Sequence, residues 1–183
     1  MMPDAIASAR EFQAPWHPFR FHVGFVREPI DGKGGGAAAD AEDICEGAFS
    51  EVAGLEASME PKAIREGGSN YGAHQRAGQV SFATVVLKRG MTATRDLWKW
   101  WAVFTGGEAR DDGKAAGGAY AHRMTVRITL QDAGGNPVLR WRLERAMPVK
   151  FKTADLSGRA AEVGIEELHL AHEGLYFENL QGS

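Results

Sequence analysis

Only one cysteine, Cys45, occurs in the 183 residues, so neither an internal disulfide nor a cysteine-only metal cage can form. Folding must rest on the core alone, as in a reducing cytoplasm. No apolar run approaches the roughly 18 residues that a membrane helix requires. The first ten residues hold no basic stretch followed by an apolar core, so no secretory signal is read there. A large excess of one charge sign is also absent. A formal net charge of -3 gives no basic face for a polyanion to seek, so nucleic acid is not a favoured partner. Prolines number only 7 against 23 glycines, and the glycines cluster, which points to tight turns and loops between short strands. With 44% hydrophobic residues the chain can bury one ordinary core.

The enzyme signatures are missing or broken. Gly32-Lys33-Gly34 with Ala37 matches a dinucleotide fingerprint in letters, yet Pro29 and Asp31 part it from the preceding strand and no amphipathic helix follows. The Gly-Lys pairs at 32–33 and 113–114 lack the Ser or Thr that a phosphate loop needs. His169 and His172 stand at an odd spacing that sends them to opposite faces of a strand, so they do not share a metal. Ser50 and Ser69 lack the glycines of a nucleophile elbow, and the adjacent Glu166 and Glu167 point apart. No catalytic, cofactor or metal residue is assigned, and the chain is not read as an enzyme.

What is present is alternation. Phe19, Phe21, Val23 and Phe25 share one face of a strand from Phe19 to Val26. Phe49 to Val52 and Ala57 to Arg65 read as two further strands, the second interrupted by Pro61. Glu66 to Gly78 reads as a loop, and Gln79 to Lys88 as a strand rich in Val, Phe and Thr. Met124 to Leu130 and Val138 to Arg145 alternate across the turn Asp132-Ala133-Gly134-Gly135-Asn136-Pro137, the strongest hairpin signal in the chain. Pro148 to Lys152 and Glu162 to His172 complete a mainly β reading.

One helix is expected from about Ala93 to Phe104, capped by Thr92 or Thr94, with Asp96 favourable in its first turn. Leu97, Trp98, Trp100, Trp101 and Phe104 fall within an arc of about 160° at the helical period, so all five are expected in the core. The stretches 28–46 and 105–118 are glycine-rich and charged and read as loops. Residues 1–18 read as an N-terminal extension and 19–175 as one domain. Residues 176–183 are set aside as a tail whose letters scramble a protease-tag site.

Strands with one wet face and open edges invite pairing with another copy. Several words in order then carry a resemblance: Phe49-Ser50-Glu51-Val52-Ala53-Gly54-Leu55, Ile64-Arg65-Glu66-Gly67-Gly68-Ser69-Asn70, Leu87-Lys88-Arg89-Gly90-Met91-Thr92, Leu97-Trp98-Lys99-Trp100-Trp101, Asn136-Pro137-Val138 with Trp141, Ala146-Met147-Pro148-Val149-Lys150-Phe151, and Val163 to Leu175. The chain resembles the tail tube (inner tube) proteins of contractile phage tails and phage-tail-like contractile injection systems, a family related to the type VI secretion ring protein.

The resemblance implies a mainly β fold, a β-barrel of two packed antiparallel sheets with one flanking α-helix. It implies a virion or injection-particle component, synthesised in the bacterial cytoplasm, whose hexameric rings stack into a hollow tube within a sheath. Its implied partners are itself, the sheath protein, baseplate or spike and terminator proteins, and DNA or effector cargo in the lumen, with no membrane. The alternatives are a secreted ring protein that carries effectors and a small-ligand-binding barrel. Within the leading reading, Glu66, Gly67, Gly68, Ser69, Asn70 and Tyr71 are expected between stacked rings. Thr125, Arg127, Thr129, Arg140, Arg142 and Glu144 are expected on a wet face that either lines the lumen or meets the sheath.

Overall fold

A computed structural model describes residues 15–27, 49–65, 67–68, 71–106, 123–158, 163–178 and 180. Among the described residues eleven strands and one helix follow in chain order: β1 (Phe21–Arg27), β2 (Phe49–Ala53), β3 (Ala57–Met59), β4 (Lys62–Ile64), β5 (His74–Arg76), β6 (Val80–Phe82), β7 (Val85–Gly90), α1 (Asp96–Thr105), β8 (Met124–Gln131), β9 (Pro137–Lys152), β10 (Ile165–Ala171) and β11 (Gly174–Glu178). Every strand pairing is antiparallel.

The long strand β9 serves two sheets. Its first half pairs with β8 on one side and β11 on the other, and β1 extends this sheet beyond β8. Its second half pairs with β10, which leads on through β7 to β2. The strand turns the corner at Arg145, whose backbone φ of 52° is a left-handed conformation unusual for a residue other than glycine. There the register against β8 shifts between Met124 and Val126. Glu173, in the turn between β10 and β11, fixes the corner by pairing with both Arg123 and Arg145, while its backbone N–H donates to the Glu144 carbonyl at 2.9 Å.

The expected interruption of β9 at Pro148 is therefore absent. Pro148 lies opposite Leu170 next to a register irregularity, where a missing N–H is tolerated. The expected barrel is not closed either: among the described residues the order β1-β8-β9-β10-β7-β2, with β11 on β9, leaves open edges.

The two sheets enclose the core. Val23 and Phe25 of β1, Val126 and Ile128 of β8 and Leu143 of β9 meet Val85 and Leu87 of β7 and Leu168 and Leu170 of β10. These are the inward positions of the period-2 patterns, and burying each such side chain contributes about 1.5–3 kcal/mol before conformational entropy is counted.

The helix closes one side and starts later than its periodicity suggests. Thr92 and Thr94 bond to each other, Oγ1 to Oγ1 at 2.7 Å, and Arg95 occupies the N-cap without a side-chain cap bond. Asp96 takes the capping role instead, its Oδ1 accepting from the Leu97 N–H at 2.9 Å. Leu97, Trp100 and Ala102 are buried, and Trp100 meets Phe25 edge to face at 5.5 Å. Trp98 departs from the expected core face. It is 41% exposed, lying outward against Phe151 at 5.4 Å, because the helix packs along a narrower stripe than five aromatic and aliphatic positions could share. Trp101 and Phe104 are half-buried.

Candidate functional site

Between β2 and β7 the chain departs from the body as a two-stranded arm. β3 pairs with β6, and β4 with β5, so the segment expected as a plain loop carries strand β5. The two short ladders are offset: Glu60 and Pro61 on one side span the same gap as Ala77, Gly78 and Gln79 on the other. Pro61 thus splits the single strand expected from Ala57 to Arg65 into β3 and β4. Gly78 sits so near the opposing chain that a Cβ there would lie 1.9 Å from the Glu60 carbonyl oxygen. Only glycine fits that approach.

Every residue of β3, β4 and β5 is exposed. Met59, Ile64 and Val80 are open apolar side chains, and Tyr71 beyond β4 is wholly exposed. Isolated two-stranded ribbons are at best marginally stable in water, so such an arm calls for a surface to lie on. At its root Phe82 packs on the His172 ring at 5.2 Å. Burial holds the His172 imidazole below its ordinary pKa, against the raising effect of the Gly174 and Ala83 carbonyls.

Of the six residues expected between rings, Glu66, Ser69 and Asn70 lie outside the described residues. Gly67 and Gly68 form the turn at the end of the arm, Gly68 at a φ of 95°, and neither has an atom within 4 Å of an added Cβ.

The second surface is the outward face of the sheet β1-β8-β9-β11. The strand registers align two rows across it: His22, Thr129, Arg140 and Glu178, then Gly24, Arg127, Arg142 and Tyr176. The residues expected on a wet face are thus gathered on one surface. They are not freely wet, since Thr125 and Thr129 are buried beneath the longer side chains. Arg142 pairs with Glu144 at 2.9 Å and with Glu178 at 3.1 Å, and its guanidinium lies 5.0 Å from the centre of the Tyr176 ring. Arg140 donates from Nε to Thr129 Oγ1 at 3.1 Å.

One cluster escaped the sequence reading. Arg89 is 1% exposed, donates from Nε to Glu166, and grips Asp96 through both terminal nitrogens, Nη1 to Oδ2 at 3.0 Å. It joins β7, β10 and the first turn of α1, and lies over the Phe49 ring of β2. Its signal was available: Arg89 is an inward position, two residues from Leu87 and four from Val85. The cluster is a structural tie, buried within the domain.

Glu166 and Glu167 do face opposite ways, one buried, and Glu167 stands 3.6 Å from His169. Among the described residues no three His, Cys, Asp or Glu side chains gather as a metal site would require, and no helix is long and apolar enough to cross a membrane. The dinucleotide-like glycines at 32–36 lie outside the described residues.

Solved structures share this architecture. A chain in the cryo-EM structure of the anti-feeding prophage baseplate, six-fold symmetrised, is 24% identical with a TM-score of 0.67, covering 93% of this chain and 99% of that one. A chain in the sheath-tube complex of an extracellular contractile injection system, PVC, in its extended state is 15% identical with a TM-score of 0.65, covering 91% and 93%. A chain in the anti-feeding prophage tube-terminating cap is 16% identical with a TM-score of 0.66, covering 96% and 99%. A comparison with curated proteins finds no match. The family model of T4-like virus tail tube protein gp19 matches residues 17–176, from the approach to β1 into β11, and the chain belongs to that family as a structural tube subunit.

Proposed function

We propose that the protomers join edge to edge into six-membered rings, and that the rings stack through the arm into a hollow tube. The observation that carries this reading is the open sheet β1-β8-β9-β11, whose two outer strands have no further strand beside them among the described residues. Its strands alternate in direction, so β1 of one copy meets β11 of the next antiparallel, as within the sheet. Joined in this way, the sheets of neighbouring copies complete as an assembly the barrel that a single chain leaves open, and the unpaired edges disappear. The six-fold symmetry of the related baseplate supports the ring number.

The arm, with its exposed apolar side chains and the Gly67–Gly68 turn, reaches the adjacent ring. A sheath outside, a baseplate below and a terminator above are the partners by analogy with the related particles, and DNA or effector protein is the cargo. The protein works by shape and self-association rather than catalysis, after synthesis in a bacterial cytoplasm and assembly into a phage tail or injection particle.

Size-exclusion chromatography across a concentration series, followed by negative-stain electron microscopy, tests this. Rings or hollow tubes are expected. For the edge contact, cysteines at His22 and Glu178 lie three strand spacings apart within one protomer, about 14 Å, beyond disulfide reach. Oxidation is therefore expected to link different copies and build a ladder up to six. A strict monomer at every concentration, with no cross-linking, overturns the proposal.

A further inference from the structure

The outward face of the sheet β1-β8-β9-β11 is unevenly compensated. On the β11 side, Glu178 and Glu144 answer Arg140 and Arg142. On the β1 side stands Arg127, directly opposite Arg142 in the β8–β9 register, so two like charges face each other across the ladder. Arg127 has no carboxylate beside it among the described residues, and its Nε is shielded from solvent without a hydrogen-bond partner. A shielded guanidinium nitrogen with no acceptor is costly, and an oxyanion relieves it.

The neighbourhood has room for one. Gly24 is the cross-strand neighbour of Arg127, and a Cβ added there would touch only the His22 ring, at 3.8 Å. The missing side chain leaves a hollow of about 200 Å³ whose lining includes His22, Gly24, Arg127, Thr129 and Arg140 beside Phe25 and Val26. A tetrahedral oxyanion occupying it would meet the Arg127 fork and the His22 ring, with Arg140 at its border. No carboxylate is among the residues lining it.

We infer that this hollow is a binding site for a phosphate-type oxyanion, with Arg127 as its main donor. The site stands on one protomer's geometry and does not depend on ring formation. Its use rests on the tube reading: if this face lines the lumen, the wall carries one such site per protomer for a phosphate-bearing cargo.

The test compares melting temperatures of the full chain in inorganic phosphate and in sodium chloride at equal ionic strength, for the wild type, Arg127→Gln and Gly24→Val. Arg127→Gln removes a like charge opposite Arg142, and Gly24→Val places a strand-forming residue in open space, so neither is expected to impair folding. General salting-out by phosphate raises all three alike. Binding adds a rise to the wild type alone, one that grows with the logarithm of phosphate concentration above Kd. A fluorescent ten-nucleotide oligothymidylate forms the second arm. Binding of this probe, lost in both variants, extends the site to phosphodiesters, whereas a phosphate response without it restricts the site to small ions. Equal phosphate responses in the wild type and Arg127→Gln overturn the proposal. Micrographs of the same samples report on ring formation separately.

Discussion

Arg89 Nη1 donates to Asp96 Oδ2 at 3.0 Å, and this contact decides where the helix begins. Asp96 is the first helical residue, so the guanidinium on β7 holds the helix by its own capping side chain, while Nε of the same group holds Glu166 on β10. Replacing Arg89 by Met keeps the length of the side chain but leaves two carboxylates facing each other in a largely buried place. The expected loss is about 3–5 kcal/mol, as when one partner of a buried pair is removed. Urea unfolding measures it. A loss under about 1 kcal/mol would show that the tie adds little.

Trp98 and Trp100 are two residues apart and separate cleanly. Trp100 is 4% exposed against Phe25, so Trp100→Ala is expected to cost about 3–5 kcal/mol. Trp98 lies outward, and Trp98→Ala is expected to cost about 1 kcal/mol or less. Equal costs in denaturant unfolding would contradict this orientation of α1.

The helix shows why periodicity alone fell short. An arc of about 160° counts positions that can point toward a sheet, but the aromatic side chains are too large for all of them to fit beneath one short helix. Strand patterns fared better: Val23, Phe25, Val126, Ile128 and Leu143 lie inward as their alternation requires. The unity of β9 was hidden by Pro148, and the arm by the glycines that permit it. Arg89 was overlooked because a charge on an inward strand position looks like an error until its carboxylates, 7 and 77 residues away, are brought beside it. Of the surfaces, the outward face carrying Arg127, Arg140, Arg142 and Glu144 was legible from alternation. Its uneven pairing was not, since Glu178 belongs to the tail set aside as tag-like.

His172 gives a pH dependence with a definite sign. Burial lowers its folded pKa beneath the ordinary histidine value of about 6.5, so the unfolded chain binds the proton more readily. Its contribution is fully present above about pH 6.5 and is lost as pH falls through the lower folded value. His172→Phe, which keeps a ring against Phe82, is expected to flatten the fall in stability between pH 6.5 and 5. Unfolding curves at stepped pH check this, and an unchanged slope would assign the dependence to other groups.

A change at Gly78 is expected to separate folding from the proposed assembly. A valine there would drive its side chain into the Glu60 carbonyl and force the arm ladder apart, yet β3 to β6 bury little of the main core. Gly78→Val is expected to leave the melting temperature of the protomer within a few degrees of the wild type while suppressing tube growth in micrographs. Replacing Gly67 and Gly68 together should act in the same direction, through the turn rather than the close approach at Gly78. Normal tubes from both variants would remove the arm from ring stacking.

Strand β11 ties the tail into the fold. Gly174 to Glu178 pair residue by residue with Glu144 to Arg140, and Leu175 packs against the core. Ending the chain after Glu173 strips one side of β9, removes Glu178 from Arg140 and Arg142, and leaves the guanidiniums of the outward face with Glu144 alone. The truncated chain is expected to lose several kcal/mol in urea unfolding and to form no rings, because the strand proposed to meet a neighbouring β1 is gone. Ending it after Glu178 removes none of these contacts and should leave both properties unchanged. If the shorter chain still closes rings, the ring contact runs through another edge, and β2 at the far end of the other sheet becomes the one to test.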